Sequence, residues 1–230
     1  MDLTFLDTIL EHPFLPLYGL VVVLAIWRYP RYFDTPLRYF PILLAYTFLN
    51  EILGHFIQYY DEISLVLIDL YTNNNWLIYN IYNTIFYLYF FYVYWKYISH
   101  ERYKIWIVAA GLLFAIISLL NPFYQNFLLE TQLYAYLVGA ILLICCTILF
   151  FLDLHARYGS WFLKRDLLSW VSLGILIFYS GYMPIKIVRY YEALEGFAAP
   201  GYVRRIHLLL ILLMYGSFAF GFFRMRRRHE

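Results

Sequence analysis

The sequence predicts an all-α integral membrane protein, a polytopic bundle of seven transmembrane helices with its N-terminus outside and its C-terminus in the cytoplasm. Hydrophobic residues make up 63% of the 230 residues and charged residues only 14%, and the mean hydropathy is +0.64. A water-soluble domain carries about 25% charged residues, so this chain cannot cover a soluble surface. The two further observations are a series of apolar stretches and a one-sided distribution of basic residues.

Seven stretches are apolar enough to be interpreted as spanning helices, which need about 20 mostly apolar residues. In chain order they are Phe14–Trp27, Pro41–Tyr60, Trp76–Ile98, Ile105–Leu120, Gln132–Leu152, Leu167–Val188 and Ile206–Phe223. The first is short unless the residues before it join the helix, and Pro13 and Pro16 suit a helix start. Ser64–Leu70 is too short to span, so we interpret it as an interfacial segment. No linker separates the stretches, which predicts a single transmembrane domain over 1–230.

Basic residues alternate between the connections, and this alternation predicts the orientation. Thirteen of the 17 Lys and Arg residues occupy the first, third and fifth connections and the tail: Arg28, Arg31, Arg38, Lys96, Arg102, Lys104, Arg157, Lys164, Arg165, Arg224, Arg226, Arg227 and Arg228. Acidic residues prevail in the other segments, and an odd number of helices agrees with opposite locations for the two termini. The N-terminus has no basic region or cleavage site of a signal peptide. We therefore expect a multi-pass protein of the plasma membrane, which in a bacterium is the inner membrane.

Composition also argues against several classes of function. A formal net charge of +2 gives no electrostatic support for a nucleic-acid partner. Cys145 and Cys146 are adjacent in an apolar run, a pattern that indicates neither a disulfide nor a thiolate metal site. The cytoplasmic connections are too short for a kinase, cyclase or DNA-binding domain. The chain then acts within the lipid bilayer or signals through a separate cytoplasmic or membrane protein partner.

Polar side chains inside the apolar stretches are the most informative feature, because such groups are costly in a bilayer and usually face the bundle interior. Helix two carries a stripe of Thr47, Glu51, His55 and Gln58, and helix three carries Asn80, Asn83, Thr84 and Tyr87. Helix six adds Ser180 and helix seven adds His207. The expected depths run from mid-membrane to the outer surface for six of these residues, which could converge on one outward-opening cavity: Glu51, His55, Asn80, Asn83, Ser180 and His207.

Helix six also contains Pro184, which predicts either a kink or an early helix end. The basic residues Lys186, Arg189, Arg204 and Arg205 flank the connection that follows. They are interpreted as a clamp for a phosphate or carboxylate group, or as side chains that extend to lipid phosphates. The predicted ligand-binding residues are Glu51, His55, Asn80, Asn83, Ser180, Lys186, Arg189 and His207. No catalytic residue, metal ligand or cofactor is assigned.

Several segments carry a family resemblance. They are the run LSWVSLGILIFYSG at 168–181, Arg205-Ile206-His207, Asn50-Glu51-Ile52, and the Asn-rich entry to helix three at Trp76. Together they resemble an uncharacterised family of seven-helix integral membrane proteins common in Bacteroidota. The resemblance implies the seven-helix fold and the membrane location, and it implies no chemistry.

Three functions are compatible with the pattern. The first is a receptor-like or sensor module with an outward polar pocket for a small or lipid-like, anionic ligand. The second is an intramembrane lipid-modifying enzyme, metal-dependent or not, that uses Glu51, His55 and His207. The third is a small transporter. A purely structural alternative also stays open, in which Glu51 and His55 pin helix two to helix three.

Overall fold

The computed structural model describes residues 14–59, 76–194 and 201–226, and within them the regular structure is entirely helical, with no strand. Seven α-helices lie in these ranges: α1 (Phe14–Arg28), α2 (Phe40–Tyr59), α3 (Trp76–Tyr97), α4 (Glu101–Leu120), α5 (Leu133–Tyr158), α6 (Leu167–Leu194) and α7 (Gly201–Arg224). Each coincides with one predicted stretch, and the largest differences are six extra residues at the ends of α5 and α6. The predicted interfacial segment Ser64–Leu70 lies outside the described residues.

Four of these segments are long and apolar enough to cross a membrane: Glu101–Phe123, Leu133–Tyr158, Leu167–Glu192 and Gly201–Arg224. They support the prediction of a membrane protein. Helix α1 has 15 described residues, which at 1.5 Å per residue is shorter than a bilayer core of about 30 Å. Polar residues and tyrosines lower the hydropathy of α2 and α3. The count of seven spans and the orientation of the termini stay predictions.

The chain divides into two compact units. The first unit comprises Met1–Leu49 and Leu163–Glu230, and the second comprises Asn50–Phe162. Helix α2 contributes its first ten residues to the first unit and its remaining residues to the second. The single transmembrane domain over 1–230 stays a prediction.

Glycines allow the close antiparallel packing of α6 on α7 in the first unit. A Cβ atom at Gly174 would lie 2.8 Å from the carbonyl oxygen of Met214, and one at Gly221 would lie 2.7 Å from Cβ of Trp170. A third such position is Gly181, where a Cβ would meet the side chain of Leu210. The two helices therefore meet over much of their length, as expected for small residues at a membrane helix interface.

Aromatic side chains pack the rest of the first unit. Tyr18 of α1 meets Tyr215 of α7 edge-on, with ring centroids 4.2 Å apart. Phe40, at the start of α2, packs against Phe218 and Phe222 of α7. These contacts join α1 and the beginning of α2 to the α6–α7 pair.

The second unit has an aromatic centre at Tyr87 of α3. Its ring lies against Phe114 of α4 and Tyr136 of α5, with centroid distances of 5.1 and 6.1 Å. Gly139 of α5 makes room for this arrangement, because a Cβ there would lie 2.7 Å from the Tyr87 ring and 2.8 Å from that of Phe114. The tyrosine hydroxyl donates a hydrogen bond to the Tyr136 carbonyl oxygen at 3.2 Å.

Helix α4 presents a broad apolar surface outward. Ile105, Trp106, Leu112 and Leu119 are each more than 60% exposed. Monomeric soluble proteins rarely expose contiguous apolar patches of this kind, whereas a lipid-facing helix requires one. The exposure pattern of α4 therefore agrees with its hydropathy.

Candidate functional site

Asn80, a predicted ligand-binding residue of α3, is fully engaged by the loop between α4 and α5. Its side-chain Nδ2 donates to the carbonyl oxygens of Phe127 at 2.9 Å and Glu130 at 2.8 Å. Its Oδ1 accepts from the backbone N–H of Gln132 at 3.2 Å. The amide has two N–H donors, and both are used. Asn80 therefore has a structural role that the sequence pattern did not indicate.

Three further amides extend this arrangement into a buried network. Asn121 donates to the side-chain oxygens of Gln125 and Gln132 and accepts from the backbone N–H of Ala135 at 3.1 Å. Gln132 in turn donates from Nε2 to the carbonyl oxygen of Gln125 at 2.9 Å. All three side chains are buried. The network satisfies backbone groups of the α4–α5 loop, as buried non-helical backbone requires.

Glu51 and Asn83 are the other predicted site residues whose side chains are described in the second unit. Glu51 is half-buried and accepts a hydrogen bond from the Tyr79 hydroxyl at 3.3 Å. The side chain of Asn83 is half-buried and forms no hydrogen bond with another described residue. The side chain of His55 lies outside the described part of the chain.

In the first unit, His207 lies against two aromatic residues of α6. Its imidazole is stacked nearly parallel on the Tyr182 ring, with a centroid distance of 4.1 Å and an interplanar angle of 16°. The ring centroid of Phe178, one turn before Tyr182 on α6, lies 6.1 Å from that of the His207 imidazole. The stack fixes the plane of the imidazole and therefore the directions of its two ring nitrogens.

Lys186 and Arg189 follow Phe178 and Tyr182 along α6 at helical spacing. Both are close enough to His207 for a direct electrostatic interaction, and Lys186 also interacts with Arg189. Arg189 is exposed, whereas Lys186 and His207 are half-buried. Arg189 makes no ion pair with a described residue. We call Tyr182, Lys186, Arg189 and His207 the cationic cluster.

Ser180 and Pro184 lie on a different part of the surface of α6. Both are exposed, whereas Tyr182 between them is buried. Helix α6 continues through Pro184 to Leu194, so the alternative of an early helix end is wrong. Proline in a helix interior leaves the carbonyl group of the fourth preceding residue without its usual donor, and that residue is Ser180.

The predicted site residues thus fall into two groups. Glu51, Asn80 and Asn83 belong to the second unit together with the backbone of His55, and Ser180, Lys186, Arg189 and His207 belong to the first. Within the first unit, three of the four are brought together in the cationic cluster. That all eight converge on one outward cavity stays a prediction.

Asp153 is a buried acidic residue that the sequence analysis missed. Its carboxylate is 2% exposed, accepts hydrogen bonds from the backbone N–H groups of Ser99 and His100, and pairs with Arg157 at 2.7 Å. It holds the connection before α4 against the end of α5. The signal was available, because an acid four residues before an arginine on a helix is a favourable pair.

Comparisons of the chain with protein-family models, with curated proteins and with solved structures give no match. Within residues 14–59, 76–194 and 201–226, no three His, Cys, Asp or Glu side chains lie together as metal ligands would. The metal-dependent alternative included His55, whose side chain is not described, so that alternative is untested.

Proposed function

We propose that this chain is a multi-pass, receptor-like membrane protein that binds an anionic ligand at the cationic cluster of α6 and α7. In the proposed orientation, with seven spans and the C-terminus in the cytoplasm, the cluster lies near the outer surface of the plasma membrane. The bacterial inner membrane and membership of the Bacteroidota family are part of the same proposal. The observation that carries it is the stacking of His207 on Tyr182 beside Lys186 and Arg189.

The chemistry of the four side chains suits a phosphate or carboxylate group. Lys186 supplies a compact ammonium group and Arg189 a planar guanidinium that binds such anions in a bidentate manner. His207 adds a ring N–H whose direction is fixed by the Tyr182 stack. The Lys186 ammonium and the Arg189 guanidinium repel one another, and an anion between them reduces that repulsion.

The location within the helices favours a ligand with a polar head and an apolar part. His207 lies six residues after the Gly201 start of α7, and Lys186 lies eight residues before the end of α6. An anion at this depth is partly withdrawn from water, where charge-assisted hydrogen bonds are strong. Apolar substituents of a bound molecule would extend along the helices toward the bilayer core.

The test is a titration of the protein in nanodiscs of zwitterionic lipid with dihexanoyl phosphatidate, with inorganic phosphate as the probe that lacks acyl chains. We expect saturable binding, weakened about tenfold by Arg189→Gln, because a charge-assisted hydrogen bond contributes about 1.5 kcal/mol or more. Dihexanoyl phosphatidylcholine, with the same chains and no net charge, is the ligand control. If phosphate alone binds as tightly, the ligand is a free anion rather than a lipid-like molecule.

Arg205→Gln is the matched protein control. Arg205 is exposed and lies two residues before His207, on nearly the opposite side of α7. The substitution removes one positive charge, as Arg189→Gln does, from the neighbouring helix without touching the cluster. Equal weakening by Arg189→Gln and Arg205→Gln, or no saturable binding by the wild-type protein, would contradict the proposal.

A further inference from the structure

Seven basic residues collect at the opposite end of the first unit. They come from the connection between α1 and α2, from the entry to α6 and from the end of α7. The residues are Arg28, Arg31, Arg38, Lys164, Arg165, Arg224 and Arg226. We call this surface the basic end.

Hydrogen bonds hold the three segments of the basic end together. Arg31 donates from Nη1 to the carbonyl oxygen of Met225 at 3.2 Å, which joins the first connection to the end of α7. The backbone N–H of Arg226 donates to the carbonyl oxygen of Arg165 at 3.2 Å, which joins that end to the entry of α6. The basic residues are therefore neighbours in the fold and not only in the predicted topology.

The basic end has little acidic charge of its own. Asp34 and Asp166 are the acidic residues in these described segments, and the Asp166 carboxylate accepts two hydrogen bonds, both at 2.9 Å, from the backbone N–H and hydroxyl of Ser169. None of the seven basic side chains forms an ion pair with a described residue. Burial, and secondarily the neighbouring Tyr29, raises the pKa of the Tyr32 phenol above its usual value, so this buried tyrosine adds no negative charge.

The second unit differs, because two of its four described Lys and Arg residues are paired. Lys104 pairs with Glu101 at 2.8 Å, and Arg157 pairs with Asp153 at 2.7 Å. Lys96 and Arg102 are left exposed there. The described part of the second unit thus has two unpaired Lys and Arg residues, whereas the basic end has seven.

Three guanidinium groups of the basic end lie over exposed aromatic rings. Arg28 lies 4.2 Å from the centroid of Trp27, Arg38 lies 4.6 Å from that of Tyr39, and Arg224 lies 5.8 Å from that of Phe220. Aromatic and basic side chains in such proximity are typical of the boundary between the bilayer core and the headgroups.

Apolar surface begins directly beside these charges. Val23 and Ile26 of α1, five and two residues before Arg28, are both more than 60% exposed. The Nε atom of Arg28 is buried and has no hydrogen-bond partner among the described residues. A charged head above an apolar strip is the arrangement that matches one phospholipid molecule.

We infer that the basic end is a binding surface for anionic phospholipids of the surrounding membrane. The lipid phosphate lies among the basic side chains of this surface, and its acyl chains lie along the exposed face of α1. This surface is independent of the cationic cluster, which lies at the other end of α6 and α7.

The experiment is native mass spectrometry of the full-length chain released from bilayers of equal parts phosphatidylcholine and phosphatidylglycerol. We expect retained phosphatidylglycerol on the wild-type protein. In the double variant R38Q/R165Q we expect the apparent affinity to fall about thirtyfold, because each basic residue near an anionic surface contributes about a factor of five. Neither side chain makes a hydrogen bond or ion pair with a described residue, so the fold should be retained.

The matched control is K96Q/R102Q, which removes two exposed basic charges of the second unit. Lys96 lies over Trp95 much as Arg38 lies over Tyr39, with the charge 4.5 Å from the ring centroid. Retention of phosphatidylglycerol by K96Q/R102Q supports a specific surface. Equal losses in both double variants, or no preference for the anionic lipid in the wild type, would overturn the inference.

The outcome is separable from that of the proposed function. Arg189→Gln should retain phosphatidylglycerol as the wild type does, because Arg189 lies at the other end of α6. R38Q/R165Q should in turn keep the response to dihexanoyl phosphatidate in zwitterionic nanodiscs. Loss of phosphatidylglycerol in Arg189→Gln alone would place the retained lipid at the cationic cluster and refute the basic end.

Discussion

The helices of the two units are held together by different kinds of contact. In the first, α6 and α7 approach closely at glycines, and the charged side chains collect at the two ends of the helices. In the second, buried amides and one buried carboxylate hold the ends of the helices together. In the second unit Asn80, a polar residue inside an apolar stretch, has a structural role, whereas in the first unit we propose that Lys186 and Arg189 bind a ligand.

The largest loss of stability is expected from a substitution at Asn80 in the second unit. We expect Asn80→Ala to lower the free energy of unfolding by about 3 kcal/mol, because two carbonyl groups and one backbone N–H lose their partner. Unfolding in mixed detergent micelles measures the change. Asn83→Ala, three residues later on the same helix, is the matched control and should cost less than about 0.5 kcal/mol. Equal losses in the two variants would refute the structural role of Asn80.

The helix contact of the first unit gives the next largest effect. Gly174→Ala should destabilise the protein by about 2 kcal/mol, because the added methyl group would meet the backbone carbonyl oxygen of Met214 at 2.8 Å. Gly216→Ala on α7 is the control, since a Cβ there meets nothing within 4 Å. Thermal unfolding in detergent distinguishes them, and a neutral Gly174→Ala would mean that α6 and α7 pack less closely than described.

A smaller effect is expected inside the second unit at Thr147. Its buried hydroxyl forms a hydrogen bond with the Tyr94 hydroxyl at 3.0 Å. Thr147→Val keeps the shape and should cost about 1 kcal/mol, the usual range for an interhelical hydrogen bond in a membrane. Ser217→Ala is the control, because that hydroxyl donates within its own helix to the Leu213 carbonyl oxygen. If both substitutions are neutral, the second unit does not depend on this contact.

The positions of the helices could be predicted from the sequence, because apolar runs of this length have few alternatives to a helix. The stripe on α3 was also correctly identified as polar, but its partners were not. Asn80 bonds to residues about 50 positions away in the chain, and no local pattern encodes such a contact. The grouping of His207 with Lys186 followed from their common position near the ends of consecutive helices.

The most direct measurement is the thermal midpoint of unfolding in zwitterionic nanodiscs, with and without dihexanoyl phosphatidate, for Asn80→Ala and Arg189→Gln. We expect Asn80→Ala to unfold at a lower temperature and yet to be stabilised by the probe as much as the wild type is. Arg189→Gln should unfold near the wild-type midpoint and lose most of the stabilisation by the probe. The opposite pattern, with the response lost in Asn80→Ala and intact in Arg189→Gln, would contradict the assignment of structure to one unit and ligand binding to the other.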